Sequence, residues 1–306
     1  MNIAFRNYAG LAGCTDDYFK VRAFFVKLAD SCFTYARWDW MVTHTCLEQD
    51  ALKRIGLWEL GGQLVGIAVF DTRPGEAFCF TLRGYEYLKG EILTYAQGQL
   101  GRNGRFGVMI GDTDTVFQTT AAQAGYVATE TKDNIACMVI REVNLSYPLP
   151  DGFAVKSLKE GCDLERYGRV LHNSFTHRPE DTGAYVLTAE KARAFEQELV
   201  RPNVDLGLKI AVVAPNGDYA SYCGMWYEKS LRTAVVEPVI TDPAYRRRGL
   251  GRAAVLEGVR RCAERGAVRA LVGSSRQFYY SIGFRPYAVY TRWQKPEQAK
   301  GHESLL

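Results

Sequence analysis

The stretch Val235-Val236-Glu237-Pro238-Val239-Ile240-Thr241-Asp242-Pro243-Ala244-Tyr245-Arg246-Arg247-Arg248-Gly249-Leu250-Gly251-Arg252 decides the fold. A valine-rich strand stops at a proline turn and passes through a glycine-bearing loop into a helix, which the apolar spacing predicts over 249–265 with Gly266 as its stop. At such a helix start several backbone amides lack intrahelical acceptors and the helix dipole is positive, so phosphate oxygens are held well. Gly249 and Gly251 carry no side chain to keep a ligand away, and Arg246, Arg247, Arg248 and Arg252 bring charge to the rim. The same residues also suit an ordinary helix start with a solvated arginine cluster. The arginines farther on, at 260, 261, 265 and 269, read as the wet face of a helix.

Outward from that stretch, strands and helices alternate. The patterns predict a short strand at 153–155, a helix over 163–175 and a second over 188–200 capped by Thr188. A strand at 208–213 turns at Pro215-Asn216-Gly217-Asp218 into another, the strand Thr233–Thr241 follows, and a strand at 268–272 comes after the 249–265 helix. This order points to an α/β (α+β) domain.

Arg246-Arg247-Arg248-Gly249-Leu250-Gly251 fits the R/Q-x-x-G-x-G/A signature of the GNAT superfamily of N-acetyltransferases, and Phe278-Tyr279-Tyr280-Ser281-Ile282-Gly283-Phe284 resembles that family's second hallmark, a tyrosine four residues before Gly-Phe. The resemblance runs from about residue 151 to 296. It implies a mostly antiparallel central sheet flanked by helices, with a splay between two neighbouring strands, and acetyl-coenzyme A as co-substrate. The pantetheine arm would pair with the backbone of Val239, Ile240 and Thr241, and the pyrophosphate would meet the amides of Arg247, Arg248, Gly249, Leu250, Gly251 and Arg252. An ordinary core strand at 239–241 is compatible with the same role.

Acetyl transfer to an amine needs a base, because an ammonium must lose a proton before it attacks a carbonyl. Glu237 is the candidate: alternation would put Glu237, Val239 and Thr241 on one face, and its valine neighbours would raise its pKa by desolvation. A substrate-binding or ion-paired glutamate is the other reading. Tyr279 stands where the family has its acid, and a phenol near pKa ~10 is suited to a thiol leaving group near ~8.5. Tyr280 would point the other way if the segment were extended. The asparagine often found upstream in the family is replaced by Gly273-Ser274-Ser275-Arg276-Gln277, a departure that leaves the contact to the pantetheine end unassigned. His172 and His177 lie near the expected substrate mouth, and lone histidines are more often structural than functional.

The chain also repeats itself. Gly66 and Gly224 lie 158 positions apart (224 − 66), and Gly125-Tyr126 recurs as Gly283-Phe284 at the same offset (283 − 125). An earlier landmark, Gly13-Cys14 against Gly161-Cys162, has an offset of 148 (161 − 13), so about ten residues are extra in the second copy. The polar loop from Thr176 to Gly183 is the natural place for them. We therefore expect two tandem GNAT-like domains, at 1–143 and 153–296, with a proline-containing linker at 144–152 and a tail at 297–306. In the first copy the signature positions hold Leu88-Lys89-Gly90-Glu91-Ile92-Leu93 and Tyr279 maps to Ala121, so that copy reads as degenerate. Its aromatics at Arg37-Trp38-Asp39-Trp40 would build a core or part of a substrate wall.

Composition narrows the remaining classes. A net charge of +4 over 306 residues gives no argument for nucleic acid, and no apolar run reaches the ~20 residues that span a bilayer. Eight cysteines stand singly without metal-site spacing, so no metal is expected. The N-terminus lacks a secretory pattern, which makes the cytoplasm the default location. The reading is a monomeric or homodimeric enzyme that transfers acetyl from acetyl-coenzyme A to a primary amine, the acceptor being a small molecule as for the tandem members of the family it resembles. Acetylation of a protein lysine or N-terminal amine, and a non-catalytic acyl-coenzyme A sensor, are the alternatives.

Overall fold

The computed structural model describes residues 2–10, 13–29, 31–44, 46–175, 183 and 185–296. Strands and helices follow one order twice. The first passage is β1 (Ala4–Asn7), α1 (Asp16–Leu28), α2 (Tyr35–Thr43), β2 (Gly56–Leu60), β3 (Gln63–Asp71), β4 (Arg73–Thr81), α3 (Lys89–Gln99), β5 (Gly107–Gly111), α4 (Thr115–Gln123) and β6 (Val127–Val139). The second is β7 (Ala154–Ser157), α5 (Leu164–Phe175), α6 (Ala189–Leu199), β8 (Lys209–Val213), β9 (Tyr219–Glu228), β10 (Thr233–Thr241), α7 (Leu250–Glu264), β11 (Arg269–Val272), α8 (Gln277–Ser281) and β12 (Arg285–Gln294). The chain is thus an α/β protein built as two tandem passages of one mostly antiparallel, helix-flanked arrangement.

Two compact units hold these elements, and neither is a continuous half of the chain. One comprises Met1–Leu11, Leu47–Asp133 and Ala288–Leu306, the other Ala12–Cys46 and Asn134–Tyr287. In the first unit the strands run β1-β2-β3-β4-β5-β12, all antiparallel except the β4–β5 pair. In the second the order is β6-β11-β10-β9-β8-β7, with β10–β11 the parallel pair. The last strand of the chain therefore completes the first unit's sheet, while α1 and α2 fold with the second unit.

The second unit has a core on each side of its sheet, as the two-residue period of a strand requires. On one side Ile210, Val212, Cys223, Met225 and Val236 meet Ala253, Ala254, Val259 and Cys262 of α7. On the other, Ala211, Tyr222 and Ile240 meet Tyr167 and Val170 of α5 and Leu199 of α6. Gly258 lets α7 lie close to the sheet, since a Cβ there would come within 2.5 Å of Met225 Cγ. The helix ends as its sequence predicts: Gly266 at φ 101° sends its N–H to Ala263, and Ala267 N–H returns to Cys262.

Thr188 caps α6, its side chain accepting from Lys191 N–H at 3.2 Å. Residues 144–152 form irregular chain that is packed down: Tyr147 and Leu149 lie on the α7-side core, and the Tyr147 hydroxyl donates to Glu257 Oε2 at 2.9 Å. The expected loop from Thr176 to Gly183, apart from Gly183 itself, lies outside the described residues, as does His177. Among the described residues no helix is long and apolar enough to cross a membrane.

Candidate active site

The site starts from a fault in β10. Its ladder with β9 runs from Thr233↔Glu228 to Val236↔Met225, then resumes at Val239↔Cys223, so Glu237 and Pro238 form a bulge. Proline has no N–H to give to a ladder, and the Glu237–Pro238 bond is cis. Gly224 lies opposite because nothing larger fits: a Cβ there would be 2.4 Å from the Glu237 carbonyl oxygen. That oxygen accepts the Trp226 indole N–H at 2.9 Å. The unbroken alternation expected for Glu237, Val239 and Thr241 fails at this bulge, because two residues of β10 are skipped in the pairing.

On the other edge of β10 the parallel ladder with β11 stops at Val235↔Leu271, and β11 itself ends at Val272, whereas β10 continues to Thr241. Among the described residues, 236–241 therefore have a strand partner on one edge alone, which is the splay the resemblance implied. Val239, Ile240 and Thr241 lie along it. Ser221 Oγ holds the Ile240 carbonyl at 2.7 Å, and Arg246 Nε donates to the Thr241 carbonyl at 3.2 Å, so Arg246 ties the strand end to the turn that follows.

That turn is set by local chemistry. Asp242 caps it through Ala244 N–H at 2.9 Å and is held from α5 by Asn173 at 2.6 Å. Arg247 and Gly249 both adopt left-handed backbone, φ 64° and 77°, and α7 starts immediately after with no side-chain cap on its first amides. Arg246, Arg247, Arg248, Gly249 and Arg252 are exposed, whereas Leu250 is buried as an anchor. Gly251 keeps a cradle open: a Cβ would sit 3.1 Å from Thr241 Oγ1 and 3.5 Å from Phe278 Cζ. Unfilled amides, adjacent arginines and two side-chain-free positions fit a pyrophosphate.

Tyr279 stands in α8, a one-turn helix, so the extended geometry expected for Tyr279 and Tyr280 is replaced by helical spacing. Its ring packs on Phe284 at 5.7 Å, and among the described residues its hydroxyl makes no hydrogen bond. Burial pushes the phenol well above its ordinary pKa, and the negative field of Glu237 adds to this against Arg276. The phenol thus lies farther above a thiol than the expected match, and Glu237 is close enough to act on it electrostatically. Tyr280 is half-buried against the α7-side core.

Beside the bulge, on the α5–α6 side of the sheet, is a cavity of about 750 Å³ lined by Pro238, Trp226, Tyr222, Tyr167, His172 and Phe195. Residues of α2 and its exit, Trp40, Thr43 and His44, complete it. Trp40 is the wall residue of the Arg37-Trp38-Asp39-Trp40 run, and Trp38 is fully buried core. A buried polar network seats α1 and α2 here: Arg22 bridges Asp39 at 3.0 Å and Glu228 at 2.8 Å, Tyr18 donates to Asp39, and the Tyr35 hydroxyl donates to the Thr233 carbonyl at 2.9 Å. Burial drives the Asp39 carboxyl up to about 6 even beside Arg22.

Lys209 and Glu198 are among the cavity's ionisable lining groups. Lys209, 4% exposed, donates to the Met225 carbonyl at 3.1 Å and rests 3.4 Å over the Trp226 ring. Burial lowers its pKa to about 8, against the pull of Glu198 and other acids. Glu198 accepts the Tyr167 hydroxyl at 3.2 Å, and burial raises its pKa. Sequence patterns marked neither residue. A lysine inside the apolar run Leu208-Lys209-Ile210-Ala211-Val212 was the one available signal.

The matching positions of the first passage are used for packing. Leu88 enters α3 in right-handed conformation, with no left-handed glycine. Lys89 is buried against Asp114 at 2.6 Å, Glu91 accepts from the Trp58 indole at 2.7 Å, and Ile92, Leu93 and Ala121 are buried.

Residues 174–284 match the acetyltransferase (GNAT) family model. Comparison with curated proteins gave no match. Among solved structures, a tandem GNAT protein from the clavulanic acid biosynthesis pathway is similar at TM-score 0.61 and 13% identity, covering 97% of this chain and 100% of that one. A GCN5-related N-acetyltransferase from Sphaerobacter thermophilus is similar at TM-score 0.57 and 14% identity, covering 96% and 95%. At these identities the likeness is one of fold.

Proposed function

We propose that this chain, whose residues 174–284 match the acetyltransferase (GNAT) family model, is an acetyl-coenzyme A-dependent N-acetyltransferase with one donor site and a small primary amine as acceptor. The observation that carries the reading is continuity: the open edge of β10 runs from the Glu237 bulge straight into the glycine turn at Arg246-Arg247-Arg248-Gly249-Leu250-Gly251. The backbone of Val239, Ile240 and Thr241 would hold the pantetheine arm, and the amides of Arg247 through Arg252 the pyrophosphate, with Arg248 and Arg252 at the rim.

Bound there, acetyl-coenzyme A supplies a thioester carbonyl open to attack by an amine. Glu237 takes the proton from the incoming ammonium, so that a neutral nitrogen forms the new N–C bond. Tyr279 is protonated throughout the neutral range because burial holds its pKa up, and it gives its proton to sulfur as the C–S bond breaks; the second proton that the nitrogen sheds on becoming an amide restores the phenol, and Glu237 returns its own to solvent. The phenol's poor acidity means that the transfer to sulfur occurs only once thiolate charge builds up. The cavity beside Pro238, of about 750 Å³ with aromatic walls, is of a size that suits a small acceptor.

Thiol release from acetyl-coenzyme A, followed with a panel of amines, tests this. Tyr279→Phe and Glu237→Gln are each expected to lower kcat about 100-fold or more while acetyl-coenzyme A binding persists. Binding with no amine-stimulated release would favour a sensor, and absence of binding would overturn the reading.

A further inference from the structure

Lys209 stands out because the proposed chemistry leaves it unused. Its ammonium has three donors, and the protein engages one of them, at the Met225 carbonyl; the Trp226 face covers another side. Among the described residues it has no ion-pair partner, although it is 4% exposed and lines the cavity. Leaving buried N–H donors unmet is costly, so a group that meets them when the cavity fills is bound strongly. The place of this ammonium matters as much as its burial. It lies over the indole whose N–H holds the Glu237 carbonyl, one ring away from the bulge where the acceptor nitrogen must arrive.

An acceptor amine enters as a cation. Glu198 in the same cavity balances that charge, and the buried Lys209 ammonium, with donors still unmet, favours an acceptor that carries a negative charge of its own. Resting on the acetyltransferase reading above, we propose that the acceptor is an amino carboxylate with an apolar or aromatic body, its carboxylate bound by Lys209 and its amine directed to Glu237. Trp40, Tyr167, Phe195 and Trp226 provide the apolar walls for that body. Glu198, held by Tyr167 across the same cavity, offsets the ammonium of the zwitterion while the carboxylate engages Lys209.

The test uses matched acceptors: the common amino acids and, for each one acetylated, its carboxamide and its decarboxylated amine. The wild type should use the carboxylate form with a kcat/KM about 10- to 100-fold above either relative, the discrimination of a charged hydrogen-bonded contact. Lys209→Met should bring that ratio to about one. Equal use of the three forms by the wild type, or a preference for the amine lacking a carboxylate, overturns the proposal, and that comparison stands even if Lys209→Met fails to fold. A second arm titrates N-acetylphenylalanine and its amide calorimetrically. Carboxylate-dependent binding without turnover of any amine leaves the Lys209 anchor in place and removes acetyl transfer. Turnover without discrimination does the reverse.

Discussion

Replacing Gly224 by alanine is the sharpest probe of how the sheet positions the chemistry. The added Cβ would lie 2.4 Å from the Glu237 carbonyl oxygen, 3.1 Å from its carbonyl carbon and 3.0 Å from Pro238 Cδ. An unstrained carbon–oxygen contact needs about 3.3 Å, so β9 and β10 must part by roughly 1 Å at the bulge. All three clashing atoms are backbone or ring, so no side-chain rotation relieves them. Overpacking of this kind costs about 1–3 kcal/mol of stability. It also moves Glu237 and loosens its link to Trp226, and a 1 Å misplacement of a catalytic group costs about 100-fold in rate. Steady-state thiol release at saturating acetyl-coenzyme A should therefore show kcat down about 100-fold, with thermal unfolding lowered only modestly. The matching glycine of the first passage is a control: at Gly66 the nearest atom, 2.9 Å from a Cβ, is the end of the flexible Ile92 side chain. Gly66→Ala should keep kcat within about twofold, because that passage lacks the turn. A Gly224→Ala protein with wild-type kcat would refute the assignment of the bulge as the place where the base is set.

Two stability predictions follow from other elements. Gly98 lies inside α3 with open space around a Cβ, so Gly98→Ala should stabilise the protein by about 0.5–1 kcal/mol in chemical denaturation, and a loss of stability would mean that the helix is less regular than described. Burial opposes charge on Glu257, but hydrogen bonds from Arg260, Arg261 and Tyr147 outweigh it and hold the carboxyl down at about 2. A depressed carboxyl stabilises the fold above its unfolded pKa and loses that contribution as pH falls from the ordinary carboxyl range to about 2. Solvent screening at the half-exposed Arg260 reduces the contribution to about 1 kcal/mol, so the stability gap between wild type and Glu257→Gln should be wider at pH 7 and narrow toward pH 2; a gap independent of pH would contradict the ion-pair account.

The parts of this architecture that are written locally could be read from the chain. The turn at 246–251 is defined by residues adjacent in sequence, because a left-handed Gly249 and a bare first helical turn are requirements on neighbouring positions. Thr188 as a cap and Gly266 as a stop are legible for the same reason. What depended on contacts between distant segments was not. Tyr35 meets Thr233 across 198 positions, and the aromatics at 37–40, legible as core or part of a substrate wall, do not tell that the cavity Trp40 lines belongs to the second unit. Alternation along β10 failed at Pro238, although a proline within a strand is itself a sign of a bulge. Gly224, noticed as half of a repeated landmark, turned out to have a reason of its own, the approach of Glu237. Lys209 drew no notice because one lysine in an apolar strand carries no information about which cavity its ammonium reaches.

The central claim is that a chain with two passages of one fold has a single donor site, at the turn that opens α7. Calorimetric titration with acetyl-coenzyme A measures this most directly, by its stoichiometry. The account predicts about one molecule bound per chain, and loss of that binding in Gly251→Val, whose side chain fills the cradle between Thr241 and Phe278. Two equivalents per chain, or one that survives Gly251→Val, would contradict it.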